Sequence, residues 1–114
     1  MLKNTMNGPF FLFDEVIDRE ITSTGPGVFA LDDSLTGSLF DARFVGRSDS
    51  DLNHQLHVFV GKYKRFGFVA CSSARQAFET ECRLFHELSP WENVSHPQRP
   101  ENSGWICPCC TLFF

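Results

Sequence analysis

Apolar and polar positions alternate along this chain in blocks that predict three strands and two helices. Residues 27–31 and 39–48 are rich in Val, Phe and Leu and contain or border glycines, which indicates two strands. The polar run at 32–38 predicts a loop between them, and an antiparallel hairpin is the simplest connection. Residues 66–71 predict the third strand by the same composition.

Two segments carry the periodicity of helices. After the second strand, apolar residues recur at spacings of four, three and four, which places them on one helical stripe: Leu52, Leu56, Phe59 and Tyr63. Three polar residues are candidates for the N-cap of this helix: Ser48, Asp49 and Ser50. Gly61 is expected to end it. The capping-box spacing of Ser73 and Gln76 opens a second helix that we expect to reach about Leu88.

The order of these elements predicts an α+β domain with a small three-stranded antiparallel sheet flanked by helices. Residues 25–88 form this core. Residues 1–24 are expected to pack on it as an N-terminal segment, loose over 1–9 and without a clear helix or strand period over 10–17. Residues 89–114 are expected to form an irregular tail, because Pro90, Pro97 and Pro100 prevent a long helix.

Composition narrows the class of protein. Of 114 residues, 42% are hydrophobic and 13 are Phe, so one packed core is expected. The net charge of −4 argues against a protein that coats DNA nonspecifically, because such binding depends on clustered Lys and Arg. No apolar run approaches the roughly 20 residues that span a membrane, and none resembles a secretion signal. We therefore expect a cytoplasmic protein with no membrane contact.

The cysteines favour a metal site. Their number is odd, five, and three of them cluster near the C-terminus, which in a cytoplasmic chain favours metal binding over disulfides. Four residues offer the nitrogen and sulfur ligands of a tetrahedral zinc site that clasps the tail: Cys82, His86, Cys107 and Cys110. Whether Cys109 or His96 replaces one of them stays open, and Cys71 is expected to be a small buried strand residue. The alternative is a set of reduced cysteines with a frayed tail.

Two tripeptides, Gly27-Val28-Phe29 and Phe44-Val45-Gly46, resemble the paired signatures of the GIY-YIG nuclease family. The resemblance extends roughly from Gly25 to Cys110, and GIY-YIG-like proteins that end in a Trp-x-Cys-Pro-x-Cys pattern look similar, with counterparts of Asn93 and of His96-Pro97 upstream. In the family, two tyrosines, a helix arginine and a glutamate form the catalytic site. The corresponding residues here are Phe29, Phe44, Gln55 and Glu81. A histidine common in the family corresponds to Phe59, and Arg47 is retained.

These replacements imply a degenerate catalytic site. Phe supplies no hydroxyl and Gln no charge, so Glu81 and Arg47 are expected to be vestigial catalytic residues. His54 and His57 are candidate substitutes, although they lie off the helical stripe, and Tyr63 could supply a hydroxyl. Glu81 lies on the sheet-facing side of its helix. It must therefore pair with Arg47 or Arg43, or else line a cleft that is open to water and metal.

We therefore expect a binding or regulatory module for a protein or for structured DNA, without catalysis. One alternative is a divergent endonuclease that uses Glu81 with magnesium or manganese. Another is a small inhibitor or regulator from a mobile element, for which the fold is only a scaffold. A basic cluster is the candidate nucleic-acid surface: Arg43, Arg47, Lys62, Lys64 and Arg65. A positive cleft around Glu81 would favour nucleic acid, and an apolar or acidic one would favour a protein.

Overall fold

The computed structural model describes residues 6–34 and 40–113. Within these ranges the chain forms, in order, β1 (Asn7–Phe11), α1 (Asp14–Glu20), β2 (Gly27–Asp32), β3 (Phe44–Ser48), α2 (Leu52–His57), β4 (Arg65–Ala70) and α3 (Ala74–Leu88). The strands form one antiparallel sheet in the order β1-β4-β2-β3. The fold is therefore α+β. None of the described helices is long and apolar enough to cross a membrane.

The predicted three-stranded sheet is wrong by one strand. The N-terminal segment supplies β1, which pairs with β4 at Phe10↔Phe66, as well as the short helix α1. Sequence periodicity missed β1 because the pairing is irregular between Asn7 and Phe10 and because Pro9 donates no hydrogen bond. The predicted hairpin is confirmed: β2 and β3 pair in register over five residues each. β3 begins only at Phe44, and part of the region predicted before it (35–39) lies outside the described residues.

Both predicted helices are present, but α2 ends at His57 and not at Gly61, so Phe59 and Tyr63 lie beyond it. The N-cap of α2 is Asp51, whose carboxylate accepts the N–H of His54, and not one of the three predicted residues. Ser48 instead accepts the N–H of Asp51, so it supports the cap from outside the helix. α3 begins behind Ser73, whose hydroxyl accepts the N–H of Gln76, as the capping-box spacing predicted.

The sheet separates two apolar layers. Alternate residues of β2 point to opposite faces, so Phe29 and Leu31 join the layer under α1 and α2, and Val28 and Ala30 join the layer under α3. A third cluster forms where the C-terminal tail packs on α3: Phe78, Cys82 and Cys107, with Trp105, Cys110 and Phe113 against them. The end of the tail is therefore attached to α3 by apolar contacts.

The tail also protects the outer edge of the sheet at β3. The side-chain amide of Asn93 accepts the N–H of Val45 and donates to the carbonyl of Val45, both at 2.9 Å. The N–H of Glu92 donates to the carbonyl of Arg43, and the hydroxyl of Tyr63 donates to the Glu92 carboxylate at 2.6 Å. These bonds satisfy backbone groups that an exposed edge strand would leave open. They bring residues 93–98 beside β3 and α3.

Asp32 and Arg65 form an ion pair inside the domain. Asp32 is 0% exposed and Arg65 is 5% exposed. The guanidinium donates from Nε to Oδ1 at 3.1 Å and from Nη2 to Oδ2 at 2.7 Å. The same carboxylate accepts the N–H groups of Ser34 and Asp41, so it joins β4 to the loop between β2 and β3. The assignment of Arg65 to a basic surface is therefore corrected: its charge is needed in the core.

Candidate metal centre and cleft

Four side chains converge where α3 meets the tail: His86, His96, Cys107 and Cys110. Their ligand atoms all lie within 4.8 Å of one another, with 3.3 Å between the Nε2 atoms of the two histidines and 3.5 Å between Cys110 Sγ and His96 Nε2. A tetrahedral zinc ion with bonds of about 2.0–2.3 Å would place neighbouring ligand atoms about 3.3–3.8 Å apart. The cluster could therefore hold a metal ion, and its donors and spacing are compatible with zinc.

This set corrects the predicted ligands in one position, because His96 takes the place of Cys82. Cys82 and His86 are four residues apart on α3, but Cys82 is 0% exposed and lies in the apolar cluster with Phe78, whereas His86 is exposed. Burial raises the pKa of the Cys82 thiol, and its neighbour Cys107 raises it further. Cys82 therefore packs in the apolar core beside Cys107 and is not among the four converging donors.

The surroundings of the four residues prepare them for a metal. Nδ1 of His96 lies 2.8 Å from the carbonyl of Pro97, so it carries the proton, and Nε2 is left with a lone pair directed at the cluster. Burial raises the pKa of Cys107, but the N–H of Cys109 and the His96 ring outweigh burial and lower it to about 6. Phe85 packs edge-on against both imidazoles and so helps to hold the two rings beside each other.

A cleft of about 370 Å³ opens beside this centre, across the edge strand β3. Its lining comes from β2, β3, α2, α3 and the tail, and it includes the six residues that the family resemblance aligns with catalytic or neighbouring positions: Phe29, Phe44, Gln55, Phe59, Arg47 and Glu81. His96 lines it as well. The metal centre and the cleft therefore share a wall.

Three aromatic rings form the floor of the cleft. The ring centroids of Phe29, Phe44 and Phe59 lie between 5.3 and 6.3 Å from one another. Gly46 is needed for this packing, since a Cβ there would lie 2.7 Å from the Phe29 ring and 3.0 Å from that of Phe44. Phe29 and Phe44, which the family resemblance aligns with tyrosines, present no hydroxyl to the cleft.

Above the floor, Glu81 is bound to Arg47, one of its two predicted partners. Arg47 Nη1 lies 2.6 Å from Glu81 Oε1, and Arg47 Nε lies 2.7 Å from Asp49. Burial raises the pKa of Glu81, which is 7% exposed, and the attraction of Arg47 opposes this rise only in part. Burial alone would lower the pKa of Arg47, but its bonds to Asp49 and Glu81 outweigh burial and raise it.

Several polar groups of the cleft are open to a ligand. Arg47 hydrogen-bonds Oε1 of Glu81, and Oε2 has no hydrogen-bond partner among the described residues; since no fully buried side-chain oxygen there lacks a partner, Oε2 reaches solvent. The side-chain amides of Gln55 and Gln98 also line the cleft without a partner among the described residues. Within these ranges the charged side chains of the lining are Arg47, Asp49 and Glu81, so the cleft is acidic by one charge when histidine is neutral.

The structure divides the predicted basic cluster. Arg65 is buried against Asp32. Arg43 contacts Asp33 and Glu92 and lies over the ring of Trp91, and Arg47 is held by its two carboxylates. Lys62 and Lys64 are exposed, and neither lines the cleft. The five residues do not form one positive surface.

The candidate substitutes for the lost catalytic groups lie outside the cleft. His57 sits between the carboxylates of Asp14 and Asp18, which holds α1 against α2. His54 is exposed, and the Tyr63 hydroxyl is used by Glu92. The remaining cysteines are also apart: Cys71 is half-buried near Thr80, and the thiol of Cys109 is exposed.

Sequence reasoning missed the roles of two tail residues. His96 was only an alternative ligand, because its ten-residue distance from His86 matches no common ligand spacing. The sequence indicates Asn93 only through the family resemblance. Its two hydrogen bonds to Val45 form because the tail runs beside β3, which sequence spacing does not show. Comparison with family models, with curated proteins and with solved structures finds no match to this chain.

Proposed function

We propose that this chain is a GIY-YIG-like module that binds a protein partner in its cleft and does not hydrolyse phosphodiesters. The observation that carries the proposal is the Arg47–Glu81 ion pair above an aromatic floor, in a cleft with one excess negative charge. The family resemblance is supported by the cleft itself, because positions from four separate elements that it linked lie together there.

The loss of hydrolysis follows from the side chains. A metal-dependent nuclease needs a carboxylate that is free to hold a divalent ion, a cation for the developing charge and a polar group near the attacking water. Here the one cation of the cleft neutralises the one retained catalytic carboxylate. Phe29 and Phe44 provide no polar group. With magnesium or manganese we expect no cleavage of plasmid, flap or branched DNA above that of a Glu81→Ala control.

A protein partner fits the charges better than nucleic acid does. Affinity for nucleic acid rests on cations that neutralise phosphates, and three of the five candidate cations are occupied by carboxylates. We expect negligible binding of single-stranded or branched DNA at physiological salt, measured by fluorescence anisotropy. Submicromolar, salt-sensitive binding that Lys62→Glu and Lys64→Glu weaken would reverse this choice. Reproducible cutting that Glu81→Ala abolishes would instead establish the divergent endonuclease.

The metal is proposed to be zinc, with a structural role. His86 on α3 and three tail residues form a closed set of two nitrogens and two sulfurs, which leaves no position for a substrate. When bound, zinc would tie the tail to α3 and so fix the cleft wall that contains His96. Structural zinc and folding are coupled, so its removal is expected to loosen residues 89–113.

The ligand set is tested by comparing variants that differ by one thiol or ring. Purified, reduced protein is expected to carry about one zinc per chain, measured by elemental analysis. His96→Ala and Cys110→Ser should lose it, whereas Cys109→Ser, one residue from Cys110, should keep it. Cys82→Ala should also keep it. Loss of zinc in Cys82→Ala with retention in His96→Ala would restore the set proposed from sequence, and negligible zinc in the native protein would contradict a zinc site altogether.

A further inference from the structure

The cleft has features that select one kind of ligand, and this inference rests on the proposed function. Its volume, about 370 Å³, is at the lower end of small-ligand pockets, which hold about 300–1,000 Å³. It therefore suits one long side chain and not a large cofactor or a folded element. The aromatic floor and the polar rim indicate which side chain.

The polar rim has unmatched acceptors. Arg47 hydrogen-bonds only one oxygen of Glu81, and the second oxygen reaches solvent although Glu81, which lines the cleft, is only 7% exposed. Arg47 is shared with a second carboxylate, that of Asp49, so one cation faces two anions. The carbonyl of the Gln55 side chain is a further acceptor at the rim. The open acceptors of Glu81 and Gln55, together with the excess negative charge, therefore favour a ligand that is a positively charged hydrogen-bond donor.

The floor below offers a surface for the stem and the flat head of such a donor. Cations are attracted to the faces of aromatic rings, and the planar guanidinium of arginine also stacks on them. Phe44 and Phe59 are half-buried members of the three-ring floor, so part of each ring faces the cleft. Within the chain, Arg47 already shows the same chemistry, because it lies over the ring of Phe78 while it binds Glu81.

We propose that the cleft binds an arginine side chain presented by a partner peptide, with its guanidinium between Glu81 Oε2 and the Gln55 amide and its stem on Phe44 and Phe59. Charge complementarity selects this occupant over an acidic or phosphorylated peptide. Binding through Glu81 would be a charge-assisted hydrogen bond in a partly desolvated site, which is the kind of contact that dominates small interfaces.

The test compares peptides that differ only in charge. The probes are acetyl-Gly-Arg-Gly-amide and its citrulline counterpart, which has nearly the same shape but no charge. They are titrated into the zinc-loaded chain and followed by amide chemical shifts and calorimetry. We expect the arginine peptide to shift the amides of Gly46 and Arg47 and to bind at least about 10-fold more tightly than the citrulline peptide.

Variants locate the contact. Glu81→Gln keeps the shape of the side chain and should weaken arginine binding about 10-fold or more. The matched control is Glu79→Gln on the same helix, since Glu79 pairs with Arg75 outside the cleft, and it should bind like the native chain. Phe59→Leu should weaken both peptides. If Glu81→Gln does not fold, the comparison of arginine with citrulline on the native chain still decides.

The outcomes separate this inference from the proposed function. Equal affinity for arginine and citrulline, no binding of either, or native affinity in Glu81→Gln would overturn the arginine site. If a purified partner protein nevertheless binds and Phe59→Leu abolishes that binding while Glu81→Gln does not, the protein-binding cleft stands without the arginine contact. If the chain binds DNA and binds neither the arginine peptide nor a partner protein, the proposed function fails as well.

Discussion

The buried pair of Asp32 and Arg65 allows the sharpest prediction about stability. In Asp32→Ala, the Arg65 guanidinium loses two hydrogen bonds to the carboxylate, and the N–H groups of Ser34 and Asp41 lose their acceptor. Breaking a buried ion pair by removing one partner costs about 3–5 kcal/mol, because the other charge stays desolvated. We therefore expect the free energy of unfolding to fall by about 4 kcal/mol. This is a large part of the total, since domains are typically stable by roughly 5–15 kcal/mol.

Urea unfolding followed by circular dichroism measures this loss, with a double-mutant cycle to isolate the pair. Arg65→Met replaces the charge with an apolar side chain of similar length. Because the carboxylate has no guanidinium to bind in that background, Asp32→Ala should cost much less there than in the native chain. The surface control is Glu79→Ala, which breaks an exposed pair with Arg75 and should cost less than about 1 kcal/mol. A loss below about 1 kcal/mol for Asp32→Ala, or additive losses in the cycle, would refute the reasoning.

Three further predictions concern the rest of the domain. Hydrogen bonding to Asp14 raises the pKa of His57, so its contribution to stability is complete below its unfolded value of about 6.5 and is lost as pH rises through the raised folded value. His57→Gln should therefore lower the melting temperature at pH 5.5 more than at pH 8.5, and equal losses would contradict this. Gly46→Ala should destabilise the domain by about 1–3 kcal/mol in urea unfolding, because the new methyl group meets the floor of the cleft. Ser89→Gly should raise the melting temperature, since Ser89 ends α3 at φ 47°, where glycine is unstrained; a fall would contradict that reading.

Local patterns predicted the elements that depend on local physics. The spacing of Ser73 and Gln76 and the apolar period behind them predicted α3 correctly at both ends, because capping and amphipathicity act within a few residues. The hairpin of β2 and β3 was also predicted from local sequence, by two apolar segments with a polar run between them. β1 was missed because a strand at the edge, with residues 7–9 exposed and Pro9 among them, has no alternating pattern to detect. Its existence depends on the open edge of β4, which is distant in sequence.

The candidate site shows the same division. Helical geometry predicted that Glu81 faces the sheet, and a buried carboxylate needs a partner, so Arg47 could be named before the structure. The sequence showed that the three residues of the floor are aromatic, at positions where the family resemblance implies polar side chains. That they pack together beside a cleft with one excess negative charge required their positions in space, because Phe29 lies in β2, Phe44 in β3 and Phe59 just after α2.

The sequence by itself determined the chemistry that this protein has available: Phe29 and Phe44, which carry no hydroxyl, a carboxylate that needs a partner, and cysteine and histidine ligands near the C-terminus. Only the tertiary structure decided how these groups combine. It placed His96 rather than Cys82 in the candidate metal set, because the tail brings His96 to within 3.3 Å of His86, while the Cys82 side chain is buried with Phe78 and Cys107. It also moved Arg65 from the surface to Asp32. In both cases the partner is distant along the chain, and residue spacing carries no information about where two distant segments meet.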